Sequence, residues 1–197
     1  MRVFIAAVLY FVATFAIAEE PMRRVLGEGY EIFLPASWQE QATLSPSGQP
    51  IRLFWERGSH EKGVGCTIEV ARIDIKTGSM LARLSFQQKR ELLLAQWDME
   101  DWFALLPNLT STADFKVINN FKTTIGGNMP ASALEFSYRL QNGYHYRTRL
   151  LFTLSREMQY VLSCFGFGRS DDTARDGFQR SVTTFQKIHY SFMFRGN

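Results

Sequence analysis

Apolar and polar residues alternate along much of the chain, which predicts strands that bury one side of a sheet. The segment YEIFLP at residues 30–35 is typical of an opening strand that its proline ends. Further strands are expected at 51–55, 66–73, 115–122, 131–139, 144–154 and 158–165. The last three form an antiparallel meander, because the Asn142-Gly143 pair supplies the dipeptide that tight hairpin turns favour.

A helix is expected between the two groups of strands. Ser85 and Gln88 fit a capping box, in which each side chain accepts a hydrogen bond from the other residue's backbone. The helical spacing of apolar residues then predicts one helix that continues to Pro107. Trp97 and Trp102 widen its apolar stripe, and core packing is the simpler interpretation of both, with a ligand pocket as the alternative.

A second helix is expected near the end of the chain. Asp171 or Asp172 suits its first turn, where a carboxylate caps the helix and faces the positive end of the helix dipole. Residues at helical spacing then form a stripe that faces the core: Ala174, Phe178, Val182, Phe185 and Ile188. Strands and helices in this order indicate an α+β protein.

The first 18 residues have the pattern of a secretory signal peptide. Arg2 precedes an apolar stretch at residues 3–15, and Ala16-Ile17-Ala18 matches a cleavage site. A membrane anchor is the alternative, but the stretch is shorter than the roughly 20 residues that a spanning helix needs. We therefore expect residues 1–18 to be removed and 19–197 to form a single domain, periplasmic or secreted and without a stable membrane anchor.

Composition and charge exclude several classes of protein. The net charge is +3, and the charged residues are spread along the chain, so nothing indicates binding to nucleic acid. No nucleophile elbow, phosphate-binding loop, dinucleotide turn or zinc helix is present, and we expect neither enzymatic activity nor a cofactor or metal. Asn108 begins a glycosylation motif, Asn-Leu-Thr, of a kind that also occurs by chance.

One predicted strand carries a candidate polar binding surface. Alternation along residues 144–154 places His145, Arg147 and Arg149 on the same side. Two guanidinium groups and an imidazole together suit an anionic group on a partner or ligand. The simpler alternative is a salt-bridged sheet face, with Glu69 or Glu135 on a neighbouring strand as the partner.

The chain contains two cysteines, and each lies on an apolar side of a predicted strand. Cys66 shares its side with Ile68 and Val70, and Cys164 shares its side with Leu162. In an oxidising compartment, an even number of cysteines favours a disulfide between Cys66 and Cys164. Two separate buried thiols that act as small apolar side chains are the alternative, since one sequence does not give the order of strands.

The order of elements resembles the PsbP/DcrB-like superfamily over roughly residues 28–190. The resemblance rests on YEIFLP and Trp38, the central helix, the meander that ends in YVLSC at 160–164, and the final helix with FQRSVTTF at 178–185. It implies an α/β/α sandwich around an antiparallel sheet, with one central and one C-terminal helix packed on it. It also implies binding rather than catalysis, because the superfamily includes extrinsic photosystem proteins, envelope lipoproteins and chaperones of secreted effectors.

These observations favour a non-enzymatic accessory protein that binds an envelope or secreted protein. One alternative is a small-ligand carrier or a hydrolase, with a pocket near Trp97, Trp102, His145 and Arg147. Another alternative is a periplasmic immunity protein that neutralises a toxin.

Overall fold

The computed structural model describes residues 20–44, 50–56, 61–72, 85–106, 112–156 and 158–195. The expected signal peptide at residues 1–18 and the motif at Asn108 lie outside these ranges. Ten strands and three helices form within the described ranges. The strands are β1 (Met22–Gly27), β2 (Tyr30–Pro35), β3 (Gln39–Leu44), β4 (Pro50–Trp55), β5 (Lys62–Arg72), β6 (Ala113–Ile125), β7 (Met129–Arg139), β8 (His145–Leu154), β9 (Met158–Gly168) and β10 (Met193–Phe194). The helices are α1 (Phe86–Gln96), α2 (Met99–Leu105) and α3 (Asp171–Ser191).

Seven strands form one antiparallel sheet in the order β3-β4-β5-β9-β8-β7-β6. The predicted meander is confirmed as β7-β8-β9, and β6 extends it on the outer side. Gly143 adopts a φ of +83° in the turn between β7 and β8, which explains why glycine follows Asn142 there. Strands β1, β2 and β10 form a separate three-stranded sheet.

The two sides of the large sheet carry different helices. We call the first the α3 face, where α3 packs beside the small sheet around the buried side chains of Ile32, Leu162 and Phe185. We call the other the α1–α2 face, where Leu94 and Trp102 pack on Phe136, Phe152 and other strand residues. The helices on both sides of the sheet confirm the expected α+β fold with an α/β/α sandwich.

Helix α3 lies unusually close to the backbone of β9. A Cβ atom at Gly166 would overlap with the backbone nitrogen of Phe178 and would lie 2.5 Å from the carbonyl oxygen of Ala174. The absence of a side chain at Gly166 therefore permits the helix to pack against the strand itself. The strand continues to Gly168, so both glycines belong to the sheet.

The prediction of a single central helix is wrong, because the helix is interrupted at Trp97 and Asp98. Trp97 has a ψ of 116°, which is outside the helical region, and Asp98 begins a new helix. The Asp98 carboxylate accepts from the backbone N–H groups of Glu100 and Asp101, at 2.8 and 3.3 Å. The Asp101 carboxylate accepts from the Asp98 N–H at 2.9 Å, which completes a second capping box.

Candidate functional site

Cys66 and Cys164 lie directly opposite each other on the adjacent strands β5 and β9. Their Cα atoms are 4.0 Å apart and a disulfide joins them, so the predicted pairing is confirmed. Both residues are fully buried on the α3 face. The bond therefore links the two strands within the core and leaves no thiol for chemistry at this position.

The two arginines of the predicted polar surface lie beneath α3. Arg147 and Arg149 both pair with Glu135 on β7, with Nη2 to carboxylate oxygen distances of 3.5 and 2.5 Å. Each guanidinium carbon is also 5.8 Å from the centre of the Phe178 ring. With exposures of 17% and 18%, these side chains form a half-buried ionic cluster, as in the salt-bridged alternative with Glu135.

Neither His145 nor Glu69 takes part in the Glu135 ion pairs. His145 opens β8 opposite Arg139 and Gly168, near one end of the sheet. Glu69 lies opposite Val161, which places it on the α1–α2 face. Burial raises the pKa of the Glu69 carboxyl, so this residue is a half-buried acid away from the arginines.

His189, rather than His145, is the histidine beside Arg149. It is only 7% exposed, and its Nε2 atom has no hydrogen-bond partner among the described residues. Burial, with a smaller contribution from the charge of Arg149, lowers the pKa of His189 to about 3. The imidazole is therefore neutral at physiological pH.

A cavity of about 250 Å³ opens beside this pair. Eight residues line the cavity, which we call the Arg149–His189 pocket: Phe121, Thr123, Thr124, Arg149, Leu151, Gln186, His189 and Tyr190. His189 follows Phe185 by four residues and so continues the apolar stripe of α3. That spacing was a signal in the sequence that the histidine would be buried.

The two candidate tryptophans lie on the opposite side of the sheet. Trp97 stacks on Phe152 with ring centres 4.0 Å apart, and Trp102 contacts the same ring edge-on at 6.4 Å. Trp102 is fully buried, and its Nε1 atom donates to Asn120 Oδ1 at 3.1 Å. Trp102 is therefore a core residue and Trp97 is a partly buried residue packed against the same core, as in the simpler interpretation.

The prediction of a pocket near Trp97, Trp102, His145 and Arg147 is wrong, because these residues do not lie on the same side of the sheet. Successive side chains of β8 point to opposite sides of the sheet. Phe152, with the two tryptophans that pack on it, therefore lies on one side, and His145 and Arg147 lie on the other. The sheet itself separates the two pairs, and they cannot line one cavity.

A row of five aromatic side chains crosses β7, β8 and β9 on the α1–α2 face. Tyr146 stacks on Tyr138 with ring centres 5.0 Å apart, and it contacts Phe165 and Phe167 at 5.6 and 5.8 Å. Tyr144 contacts Phe167 at 6.0 Å. We call Tyr138, Tyr144, Tyr146, Phe165 and Phe167 the aromatic row, and each of them is partly exposed.

The aromatic row is nearly uncharged. Burial raises the pKa values of the Tyr138 and Tyr146 hydroxyls, so both remain neutral. The Arg169 guanidinium lies 4.1 Å from the Tyr144 ring centre and supplies a positive charge at one end. At the other end, Phe136 connects the row to the core beneath α1 and α2, with 5.7 Å between its ring and that of Tyr138.

Two further observations concern the part of the chain that the structure describes. No group of three or more His, Cys, Asp and Glu side chains is arranged there to hold a metal ion. None of the helices in these ranges is both long and apolar enough to cross a membrane.

No protein-family model matches the chain, and no curated protein sequence matches it. Solved structures resemble it at low identity. The solution structure of cyanobacterial PsbP (CyanoP) from Synechocystis sp. PCC 6803 has a TM-score of 0.55 at 14% identity. That match covers 91% of this chain and 96% of CyanoP.

Two crystal structures are similar to the same extent. LpqN of Mycobacterium tuberculosis, described as involved in cell envelope biogenesis, has a TM-score of 0.51 at 13% identity, over 89% of this chain and 91% of LpqN. A Bacteroides thetaiotaomicron protein has a TM-score of 0.52 at 12% identity, and the match covers 88% of this chain but only 48% of that protein. These matches confirm a PsbP-like fold, whereas the DcrB-like part of the resemblance stays a prediction.

Proposed function

We propose that this chain is a non-enzymatic accessory protein that binds another protein through the aromatic row. The observation that carries the proposal is the partial exposure of five contacting rings on one side of the sheet. Tyrosine, phenylalanine and arginine are enriched at the centres of protein interfaces, and rigid rings lose little conformational entropy when a partner covers them.

Packing within the row supports its use as a preformed surface. Each ring is held by at least one neighbouring ring, so the surface does not need to be ordered when a partner arrives. The row also begins at the core of the α1–α2 face, through Phe136, which fixes one end of it to the body of the protein. Arg169 gives the other end a charge that selects partners with a nearby acidic group.

We place this function in the periplasm or outside the cell. The expected signal peptide favours export, and the Cys66–Cys164 disulfide suits an oxidising compartment. The structural likeness to LpqN, a protein involved in cell envelope biogenesis, supports the same compartment. A toxin is one class of partner within this proposal, in which case the chain is an immunity protein.

Site-specific photo-crosslinking in the native envelope tests the proposal. A photoreactive residue is introduced at the row by Tyr146→p-benzoylphenylalanine and, as the control, at the exposed side chain of α2 by Phe103→p-benzoylphenylalanine. We expect position 146 to capture one protein of defined mass, and position 103 not to capture it. Crosslinking of equal strength at both positions, or at neither, contradicts the proposed surface.

A second pair of variants tests whether the rings supply affinity. Phe167→Ala removes a ring from the row, whereas Phe103→Ala removes an exposed ring elsewhere. We expect co-purification of the crosslinked partner to fall at least tenfold for Phe167→Ala and to be unchanged for Phe103→Ala, because central aromatic residues dominate interface energy. Sedimentation of the purified protein identifies the case in which the captured species is a second copy of this chain.

A further inference from the structure

The ionic cluster beneath α3 carries one more positive charge than negative charge. Arg147 and Arg149 share the single carboxylate of Glu135, and all three side chains are less than one-fifth exposed. An excess charge at a half-buried site is stabilised when an anion binds beside it.

Arg149 lines the pocket, and its contacts with Glu135 use only part of its guanidinium group. Its Nε and Nη2 atoms both contact Glu135 Oε1, at 2.7 and 2.5 Å. Because a guanidinium group has five N–H donors, Nη1 is left for a further acceptor. His189 also lines the cavity, and its buried Nε2 atom has no hydrogen-bond partner among the described residues.

We propose that the Arg149–His189 pocket binds a small aliphatic monocarboxylate. The carboxylate group accepts from Arg149 Nη1 and from the Nε2–H of His189, and the short apolar chain lies against Phe121 and Leu151. This role goes beyond the binding of a protein partner, because the pocket and the aromatic row are on opposite sides of the sheet.

Charge and size select this class of ligand. A single negative charge balances the cluster, whereas a dianionic phosphate would leave a surplus negative charge beside Glu135. His189 adds a neutral N–H donor rather than a second cation, because its pKa lies far below neutrality. A cavity of about 250 Å³ is smaller than typical pockets for drug-sized ligands, so a chain of a few carbon atoms fits it.

NMR titration of the oxidised protein at neutral pH tests the pocket. Propionate is compared with propionamide, which has a similar shape without the charge, and with inorganic phosphate. We expect propionate alone to shift the His189 Hε1 resonance in a saturable manner, and the ¹⁵N spectrum of the imidazole to show the proton on Nε2. Equal shifts with propionamide, or no saturable shift, overturn the proposal.

Two arginine variants locate the charge that binds the anion. Arg149→Gln removes the guanidinium of the pocket, and Arg175→Gln removes an exposed guanidinium of α3 that pairs with Asp172. We expect propionate affinity to fall at least tenfold in the first variant and to stay unchanged in the second, since a charge-assisted hydrogen bond is lost only in the pocket. Equal affinity in both variants overturns the proposal. If Arg149→Gln does not fold, the comparison of propionate with propionamide in the unaltered protein still tests whether the pocket binds a carboxylate.

Discussion

The two sides of the seven-stranded sheet are covered in different ways. On the α3 face, a 21-residue helix touches the strand backbone at Gly166, and the disulfide and the ionic cluster lie beneath it. On the α1–α2 face, helices of 11 and 7 residues pack through side chains around Phe152, while the aromatic row stays partly exposed. The α3 face should therefore supply more of the stability, and the α1–α2 face is better suited to a partner.

Removal of the disulfide should have the largest effect on the α3 face. Its cysteines are 98 residues apart, so the bond restricts the unfolded chain strongly. We expect the double variant Cys66→Ala/Cys164→Ala to lose about 4 kcal/mol of unfolding free energy in the chain-entropy model. Denaturant unfolding measures the loss, and reduction of the unaltered protein should produce a loss of similar size. A loss below about 1 kcal/mol would show that the α3 face does not depend on this bond.

A methyl group at Gly166 should separate α3 from the sheet. The atoms that the new Cβ would meet belong to the helix backbone, at Ala174 and Phe178, so no side-chain rotation relieves the overlap. We expect Gly166→Ala to cost about 3 kcal/mol, the upper part of the usual range for overpacking. Thermal unfolding together with denaturant unfolding gives this value.

Gly177 on α3 provides the matched control for Gly166. The atoms nearest to a Cβ at Gly177 are 3.6 Å away, which is ordinary van der Waals distance. Because alanine favours the helix over glycine by about 1 kcal/mol, Gly177→Ala should be neutral or stabilising. If both substitutions had the same effect, close packing at Gly166 would not be what holds the helix.

The stability of the α3 face should fall as the pH falls below neutrality, because His189 is buried as a neutral group. In the unfolded chain its pKa is close to 6.5, whereas in the folded protein it is about 3. Between these values the unfolded state binds the additional proton, so stability is retained above pH 6.5 and is lost as the pH decreases towards 3. The expected slope is about 1.4 kcal/mol per pH unit from this residue.

The variant His189→Gln separates this contribution from that of the carboxylates, which also titrate in acid. Urea unfolding of the unaltered protein and of the variant, at several pH values between 4 and 7, gives the unfolding free energy of each as a function of pH. The two curves should converge as the pH decreases, because the variant has no imidazole to protonate. Parallel curves would show that His189 is protonated in the folded state as readily as in the unfolded state.

The meander and the opening strand were predicted from short apolar runs that lie between turn signals. Burial does not alternate along the meander strands, because the large sheet is covered on both sides there and consecutive residues are buried. Strand β1 was missed because only Val25 is fully buried there and the charged side chains of Arg23 and Arg24 interrupt the pattern. Strand β3 was missed because it is an edge strand with polar residues on both sides.

The candidate site was harder to predict, because it depends on contacts between distant segments. Alternation placed Arg147 and Arg149 together, and Glu135 was recognised as a possible partner. The approach of His189 to Arg149 depends on how α3 lies across the sheet, and helical spacing alone indicates only that His189 is buried. The separation of the tryptophans from His145 required the register of β8 relative to the central helices.

The helical spacing predicted one central helix, whereas the structure has two, and Asp98 caps the second of them. A substitution at Asp98 should have the smallest effect on stability of those considered, and it tests the α1–α2 face. Asp98→Ala removes the carboxylate that caps two N–H groups of α2, so we expect a loss of about 1 kcal/mol. In a chain of this length the melting temperature should fall by about 3 °C. Asp98→Asn keeps an oxygen that can cap the helix and should be nearly neutral. If Asp98→Ala instead increased helical circular dichroism without loss of stability, α1 and α2 would have joined into one helix, and the break would depend on the packing of Trp97 rather than on the cap.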